Sequence, residues 1–507
     1  MAFIKSSILT HSGKTTKGLY IGKPEAEGET TRQYSFSDYY EDFLGIDSAI
    51  LNGKFIIVGR KGVGKTAYVK HLCDNSSIEN ELLCDVVNSN NTYLQRIIQS
   101  VPDGVGNKAC LIYEWIILSV FVKLLLANPN LKYSKGYDEL KRFEQKNSGI
   151  VDIDKWMSIS ETESMRIDVN FYDLVKCFPA VFGKHLDKTQ SKAPFYKIIP
   201  SLRNVVVEML GYEANSGINY IVFFDDLDIH FNLRNEDQKK DLMELIRIAR
   251  DYNTKYLPNP ELRIILLLRD DIAMQLDGIA PDKNKIFSSY EYKLQWYNSI
   301  KEASDENSKL RLFINKRISV GMKVRGIRCN QSDPWSSLVD DRQQEEYKWR
   351  TAFKYILDCT FYRPRDLVAF FADIGECEYS IPLRPADVAK LLRRYVKWNA
   401  HEIQDELSNL YSKTQIDSIF SVFRSVANSN GGVSYDTLLN WLQNKGLTEE
   451  DLILLLDYNF FVPKDDSDRQ YFSYRENLRL DEPKNYIYSL PKCLYFYCKP
   501  NLICALN

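Results

Sequence analysis

No C-x-x-C pair occurs among the ten cysteines of this chain, and only five histidines accompany them. Cys493 and Cys498 come nearest to a ligand pair, but no histidine lies beside them, which argues against zinc. Thiols this dispersed, behind a start of Met1-Ala2-Phe3-Ile4-Lys5 that lacks a signal-peptide pattern, fit a reducing cytosol. An excess of one charge is missing too. The 66 Lys+Arg and 68 Asp+Glu leave a net charge of −2, so no global polycation drives the chain onto nucleic acid, and only a local patch is left open. No long apolar run is free of charge. The most apolar stretch, 109–127, has about membrane length but carries Glu114 and Lys123, so it reads as a buried helix and no membrane partner is expected. Internal repeats are absent, as is any nuclease, protease, deaminase or TIR-like constellation. A length of 507 residues allows about two to four domains with ample core.

What is present is concentrated in one octapeptide. Residues 59–66 read GRKGVGKT, a match to G-x-x-x-x-G-K-[S/T], the phosphate-binding loop of nucleotide hydrolases. Gly59, Gly62 and Gly64 let the backbone curl, so that successive N–H groups point inward at a polyphosphate. Lys65 supplies a cation for the β- and γ-phosphates. Thr66 offers a hydroxyl to Mg²⁺, and a helix opening at Lys65 adds its positive dipole end. Context supports the match. Lys54-Phe55-Ile56-Ile57-Val58 before it reads as a buried parallel strand, and Ala67 to Leu72 after it as a helix. The expected nucleotide-binding set is Gly59, Arg60, Lys61, Gly62, Val63, Gly64, Lys65, Thr66 and Ala67.

The second half of such a site is an apolar strand ending in acids. Ile221-Val222-Phe223-Phe224-Asp225-Asp226-Leu227-Asp228 fits, with the carboxylates at the strand edge where open α/β folds bind ligands. Asp225 is the expected Mg²⁺ acid and Asp226 the acid that orients water. Asp228 either serves the metal's outer shell or caps the next turn. Two like charges side by side at a strand tip are unfavourable without a cation between them. A third strand, Arg263 to Leu268, ends in Arg269-Asp270-Asp271. Arg269 is either a γ-phosphate sensor or an exposed arginine paired with Asp270 or Asp271.

Around this core the first thirty-odd residues read as an extended polar lead-in. Tyr39, Tyr40 and Phe43 either stack on adenine or simply pack. Residues 74–217 carry helical patterns at about 92–100, 109–127, 137–147 and 194–213, with little strand signal after Leu82 to Val87. Helical patterns are expected over Gln295 to Met322 and Glu345 to Cys359, with a loop at Asn330 to Asp341 between them. Phe361-Tyr362-Arg363-Pro364-Arg365-Asp366-Leu367 places Pro364 at a helix start with Arg365 in its first turn. Arg365 either swings onto the γ-phosphate, or it and Arg363 pair with Asp366 or Asp373. Helical patterns continue at 385–411, 414–427, 434–445 and 448–456. A hairpin is then expected from Phe460-Phe461-Val462 and Tyr471-Phe472-Ser473-Tyr474, around a turn at Lys464 to Asp468. Helices followed by such a hairpin suggest a winged helix, a fold that binds DNA in some proteins and protein in many others. Three aspartates in its turn argue against gripping phosphates.

GRKGVGKT, FFDDLD, LLLRDD and YRPRDL in this order resemble bacterial P-loop ATPases of the broad group that holds the AAA+, KAP and STAND NTPases, and among them origin-recognition-like or FunZ-like ATPases of mobile islands and antiphage defence loci. The likeness covers residues 35–75 and 218–275 well and 355–500 fairly, and is absent over 76–215. It implies an α/β P-loop NTPase core with a parallel sheet, a helical insertion, and a C-terminal helical lid plus winged-helix domain. The expected boundaries are 1–34 for the lead-in, 35–300 for the core with its insertion at about 76–215, 301–400 for the lid and 401–507 for the winged helix. By position the resemblance makes Lys65, Asp226, Arg269 and Arg365 catalytic and Thr66 and Asp225 metal ligands, with ATP and Mg²⁺ as cofactors. Asp226 stands where glutamate is more usual, which leaves hydrolysis slow or switch-like. The expected role is a cytoplasmic ATPase switch or assembly scaffold, a homo-oligomer working with a partner effector. A DNA-binding initiator and a non-hydrolysing ATP-bound scaffold are the alternatives. Arg247 and Arg250, three apart on one helix face, either act in trans at a subunit interface or pair with Asp241, Glu244 or Asp251.

Overall fold

The computed structural model describes residues 15–506 except 30–34, 89–96, 99–100, 103, 152–167, 183–191, 228–230, 233, 258, 260, 299, 304, 409, 430 and 465–482. The chain divides into two compact units. One is formed by Gly45–Arg60 and Lys65–Leu294, the other by residues up to Leu44, by Lys61–Gly64 and by Gln295–Asn507.

The unit built on Lys65–Leu294 is α/β. Its strands are β1 (Ile56–Val58), β2 (Leu82–Asn88), β3 (Asp168–Asn170), β4 (Lys192–Pro194), β5 (Asn219–Asp225), β6 (Leu262–Leu268) and β7 (Glu291–Lys293). Five of them make one parallel sheet in the order β2-β5-β6-β1-β7. β1, β5 and β6 are predominantly apolar runs, rich in Ile, Val, Phe and Leu, because both faces of the sheet are covered. β7 and the small antiparallel ribbon β3–β4 are additions to the strands expected from sequence.

Helix Lys108–Ala127 is the apolar stretch, and it packs against helices Phe195–Leu210 and Glu236–Asp251. It is long and apolar enough to cross a membrane, but 78% of its most apolar window is buried inside the protein, as in a core helix. Its one buried acid is compensated: Glu114 Oε1 accepts from Arg203 Nε at 2.5 Å and from Tyr252 Oη at 2.8 Å. The helix expected at about 92–100 lies mostly outside the described residues.

The other unit is mainly helical. The described lead-in is packed rather than loose. Leu19 and Ile21 are buried, and Arg317 from helix Lys309–Val324 grips the buried Glu29 with bonds of 2.6 and 3.0 Å. Tyr39 lies in this core against Tyr20 and under the Arg317 guanidinium, Tyr40 lies beside Phe36, and Phe43 packs against Trp296. The helix expected from Gln295 starts only at Lys309, where the Ser308 side chain caps it, after a short turn of helix at Ile300–Ala303. The loop expected at Asn330 to Asp341 contains a short helix, Pro334–Leu338, opened by Pro334 and anchored by the buried Trp335.

Helices Pro364–Phe371, Pro385–Ser408, Lys413–Asn428, Tyr435–Gln443 and Glu449–Asp457 follow, close to their expected positions. A second sheet joins β8 (Val433–Ser434), β9 (Val462–Lys464) and β10 (Ile487–Ser489) in the antiparallel order β8-β10-β9. Among the described residues β9 therefore pairs with β10. The expected partner at Tyr471 to Tyr474, and the turn from Asp465 on, lie outside the described residues.

Candidate nucleotide site

The parallel sheet brings three of the expected elements to one edge. Val58 pairs with Leu268 across β1 and β6, and Phe224 with Leu266 across β5 and β6. The carboxyl ends of β1, β6 and β5 therefore lie side by side. They carry the start of the glycine loop, then Arg269, then Asp225-Asp226. Gly59 N–H donates to Leu268 O at 3.1 Å, tying the loop's first residue to the strand that carries Arg269.

Helix Lys65–Asp74 opens at the end of the loop and is fixed by Tyr68, whose hydroxyl donates to Asp47 at 2.8 Å and whose ring meets Phe223 of β5 edge-on. Thr66 and Ala67 stand half-buried in its first turn. Lys65 Nζ donates to Gly59 O at 2.6 Å and to Arg60 O at 3.1 Å. Its ammonium is thus held against the carbonyls of the loop's first two residues.

Asp225 is 3% exposed, and its Oδ1 accepts from the Asp226 N–H at 2.9 Å. Asp226 has a φ of 53°, a left-handed conformation that Asp tolerates better than most residues. Such outliers cluster at functional sites. Asp228 lies outside the described residues.

The arginines stand in ion pairs. Arg269 grips Asp271 with bonds of 3.0 and 2.7 Å, one of the expected pairings, but it is buried rather than exposed. Its neighbour Asp270 lies 3.9 Å from Arg60. Burial pushes the Asp270 carboxyl up from its ordinary value; Arg60 and Lys65 pull it down and Asp271 pushes it further up. The sequence offers Asp270 only as an ion-pair partner of Arg269, and LLLRDD carries no signal of its approach to Arg60. Arg247 pairs with Glu244 and Asp282 at 2.6 Å each, and Arg250 with Asp251 at 2.9 Å and Asp282 at 3.6 Å.

The middle of the loop, Lys61–Gly64, belongs to the helical unit. Gly62 and Gly64 have φ of 85° and 107°, which requires glycine at both positions. Pro364 opens its helix as expected, and Arg365 is in the first turn. Arg365 N–H donates to Gly62 O at 3.3 Å and its guanidinium pairs with Glu402 at 2.9 Å. Its stem lies so close that a Cβ on Gly62 would stand 2.9 Å from the Arg365 Cβ. Arg363 pairs with the buried Asp366 and also donates to Lys61 O at 3.2 Å. Trp296, not anticipated from the sequence, donates from Nε1 to Val63 O at 2.9 Å. In comparisons with known proteins, no family model matches the chain and no curated protein matches its sequence.

Proposed function

We propose that this chain binds ATP with Mg²⁺ and hydrolyses it at the glycine loop. One observation carries the reading: a single sheet edge holds the start of GRKGVGKT, the Asp225-Asp226 pair and Arg269. Ligands of open α/β sheets bind at this edge, beyond the carboxyl ends of the strands. The curled backbone at Gly62 and Gly64 suits a row of N–H groups turned on phosphate, and the helix opening at Lys65 adds its dipole. Thr66 and Asp225 are hard oxygen donors of the type that, with phosphates and water, hold Mg²⁺. When bound, the ion neutralises charge on the β- and γ-phosphates. Lys65 would leave the carbonyls of Gly59 and Arg60 for the phosphates, and Asp226 would orient the attacking water. Arg269 joins this chemistry only by leaving Asp271. Calorimetric titration with ATP and Mg²⁺, followed by phosphate release, tests the proposal. No saturable binding would end it.

The finer architecture is part of the same proposal: a P-loop NTPase core with a helical lid and a winged helix. Helix Lys413–Asn428, β8, helices Tyr435–Gln443 and Glu449–Asp457, then β9 and β10, is an order that supports the last of these. The net charge of −2 favours a protein partner over duplex DNA for it. Binding to random duplex at physiological salt should be weak; submicromolar, steeply salt-dependent binding would favour an initiator instead.

As a switch or scaffold the protein would act as a cytoplasmic homo-oligomer with an effector partner, antiphage defence being the role implied by the resemblance. ATPase activity per subunit should then rise with protein concentration. Light scattering that finds a monomer with ATP bound, and turnover independent of concentration, would refute the oligomer. The ion pairs of Arg247 and Arg250 within their own chain make neither a ready finger for a neighbouring site.

A further inference from the structure

Three successive carbonyls of the glycine loop are each held by a donor from the helical unit. Lys61 O accepts from the Arg363 guanidinium at 3.2 Å, Gly62 O from the Arg365 N–H at 3.3 Å and Val63 O from Trp296 Nε1 at 2.9 Å. In a trans peptide the carbonyl of one residue and the N–H of the next point in opposite directions. Fixing these three carbonyls therefore fixes the N–H groups of Gly62, Val63 and Gly64, which must face away from Arg363, Arg365 and Trp296.

We infer that Trp296 and Arg363 are positioning residues for polyphosphate binding, holding the back of the loop so that its N–H groups are oriented before the ligand arrives. This rests on the nucleotide reading above. The donors are themselves stiff. Arg363 is locked by two bonds to Asp366, which is wholly buried and also accepts from the N–H groups of Phe361 and Arg363. Pro364 fixes the backbone between Arg363 and Arg365. The Trp296 indole is 8% exposed and is held edge-on by Phe313, with Phe43 beside it. Glu402 completes the brace, pairing with Arg365 at 2.9 Å and Lys61 at 3.8 Å. Preorganised donors bind more tightly because they are not ordered at the moment of binding.

Trp296→Phe separates this role from packing, since it removes the indole N–H and keeps an aromatic ring. Calorimetry with ATP, ADP and inorganic pyrophosphate should show a loss of about threefold to tenfold, the worth of one neutral hydrogen bond. The loss should be alike for all three ligands, because each is gripped through phosphate. The thermal midpoint of the ligand-free protein should stay within a few degrees of the wild type. Unchanged affinity in Trp296→Phe, where Lys65→Ala still loses binding, would overturn the inference and leave the nucleotide site standing. A loss matched by a large drop in the ligand-free midpoint would overturn it as well, by making Trp296 a packing residue. Wild-type protein that binds neither ATP nor pyrophosphate would remove both readings. Should Trp296→Phe fail to fold, Trp296→Tyr refills more of the ring volume and undergoes the same titrations.

Discussion

Lys65→Ala is expected to weaken ATP binding by roughly tenfold to a hundredfold. A half-buried ammonium that reaches two phosphates makes charge-assisted bonds of about 1.5–3 kcal/mol each. The lysine also gives up its two bonds to Gly59 O and Arg60 O when it turns to the ligand, so only the surplus appears as affinity. In the alanine variant the buried Gly59 loses its 2.6 Å donor, so a modest loss of ligand-free stability is expected beside the loss of affinity. Calorimetry against ATP measures the loss directly, with a thermal melt of the ligand-free protein as its control. An affinity equal to that of the wild type would mean that the loop does not take phosphate there.

The parts of this fold that were legible in the sequence share one physical property: they are dictated locally. β1, β5 and β6 are continuous apolar runs, since a parallel strand covered on both faces tolerates little else. Helices such as Lys413–Asn428 announce themselves by a capping box at Ser412 and Gln415 and by an apolar stripe. β7 was illegible because Glu291-Tyr292-Lys293 is a three-residue edge strand with no buried residue, formed only because β1 offers it a partner. The ribbon β3–β4 failed for the same reason of length.

The arginines show where local reasoning stops within the site. YRPRDL placed Arg363 and Arg365 at a helix start, and they are there. Their partners are not a matter of spacing. Asp366 holds Arg363 as the sequence allowed, but Arg365 pairs with Glu402 of helix Pro385–Ser408, which no local pattern indicates. Trp296 was invisible as a loop ligand because its donor function depends on Val63, distant in sequence. The glycine pattern is thus legible on its own, whereas the groups that hold the loop's carbonyls emerge only from tertiary structure.

Asp225 and Asp226 should differ sharply on amidation. Asp225→Asn keeps Oδ1 as acceptor for the Asp226 N–H, so the strand tip should hold its shape while the charge for Mg²⁺ is lost. Mg²⁺-dependent ATP binding and turnover should then fall together. Asp226→Asn preserves a residue type that accepts a φ of 53°, so folding and ATP affinity should be nearly unchanged. Turnover should fall about a hundredfold or more, because an acid that orients or deprotonates water acts mainly in the transition state. The same backbone suits aspartate at this position. Left-handed φ favours Asp and Asn over longer side chains, so Asp226→Glu should not restore faster hydrolysis by extending the reach of the carboxylate. It should instead strain the tip by about 1 kcal/mol. Single-turnover phosphate release for the three variants, beside calorimetric ATP affinities, measures both effects. Wild-type turnover in Asp225→Asn and Asp226→Asn alike would remove the acidic strand from the chemistry and leave the glycine loop a binding site alone.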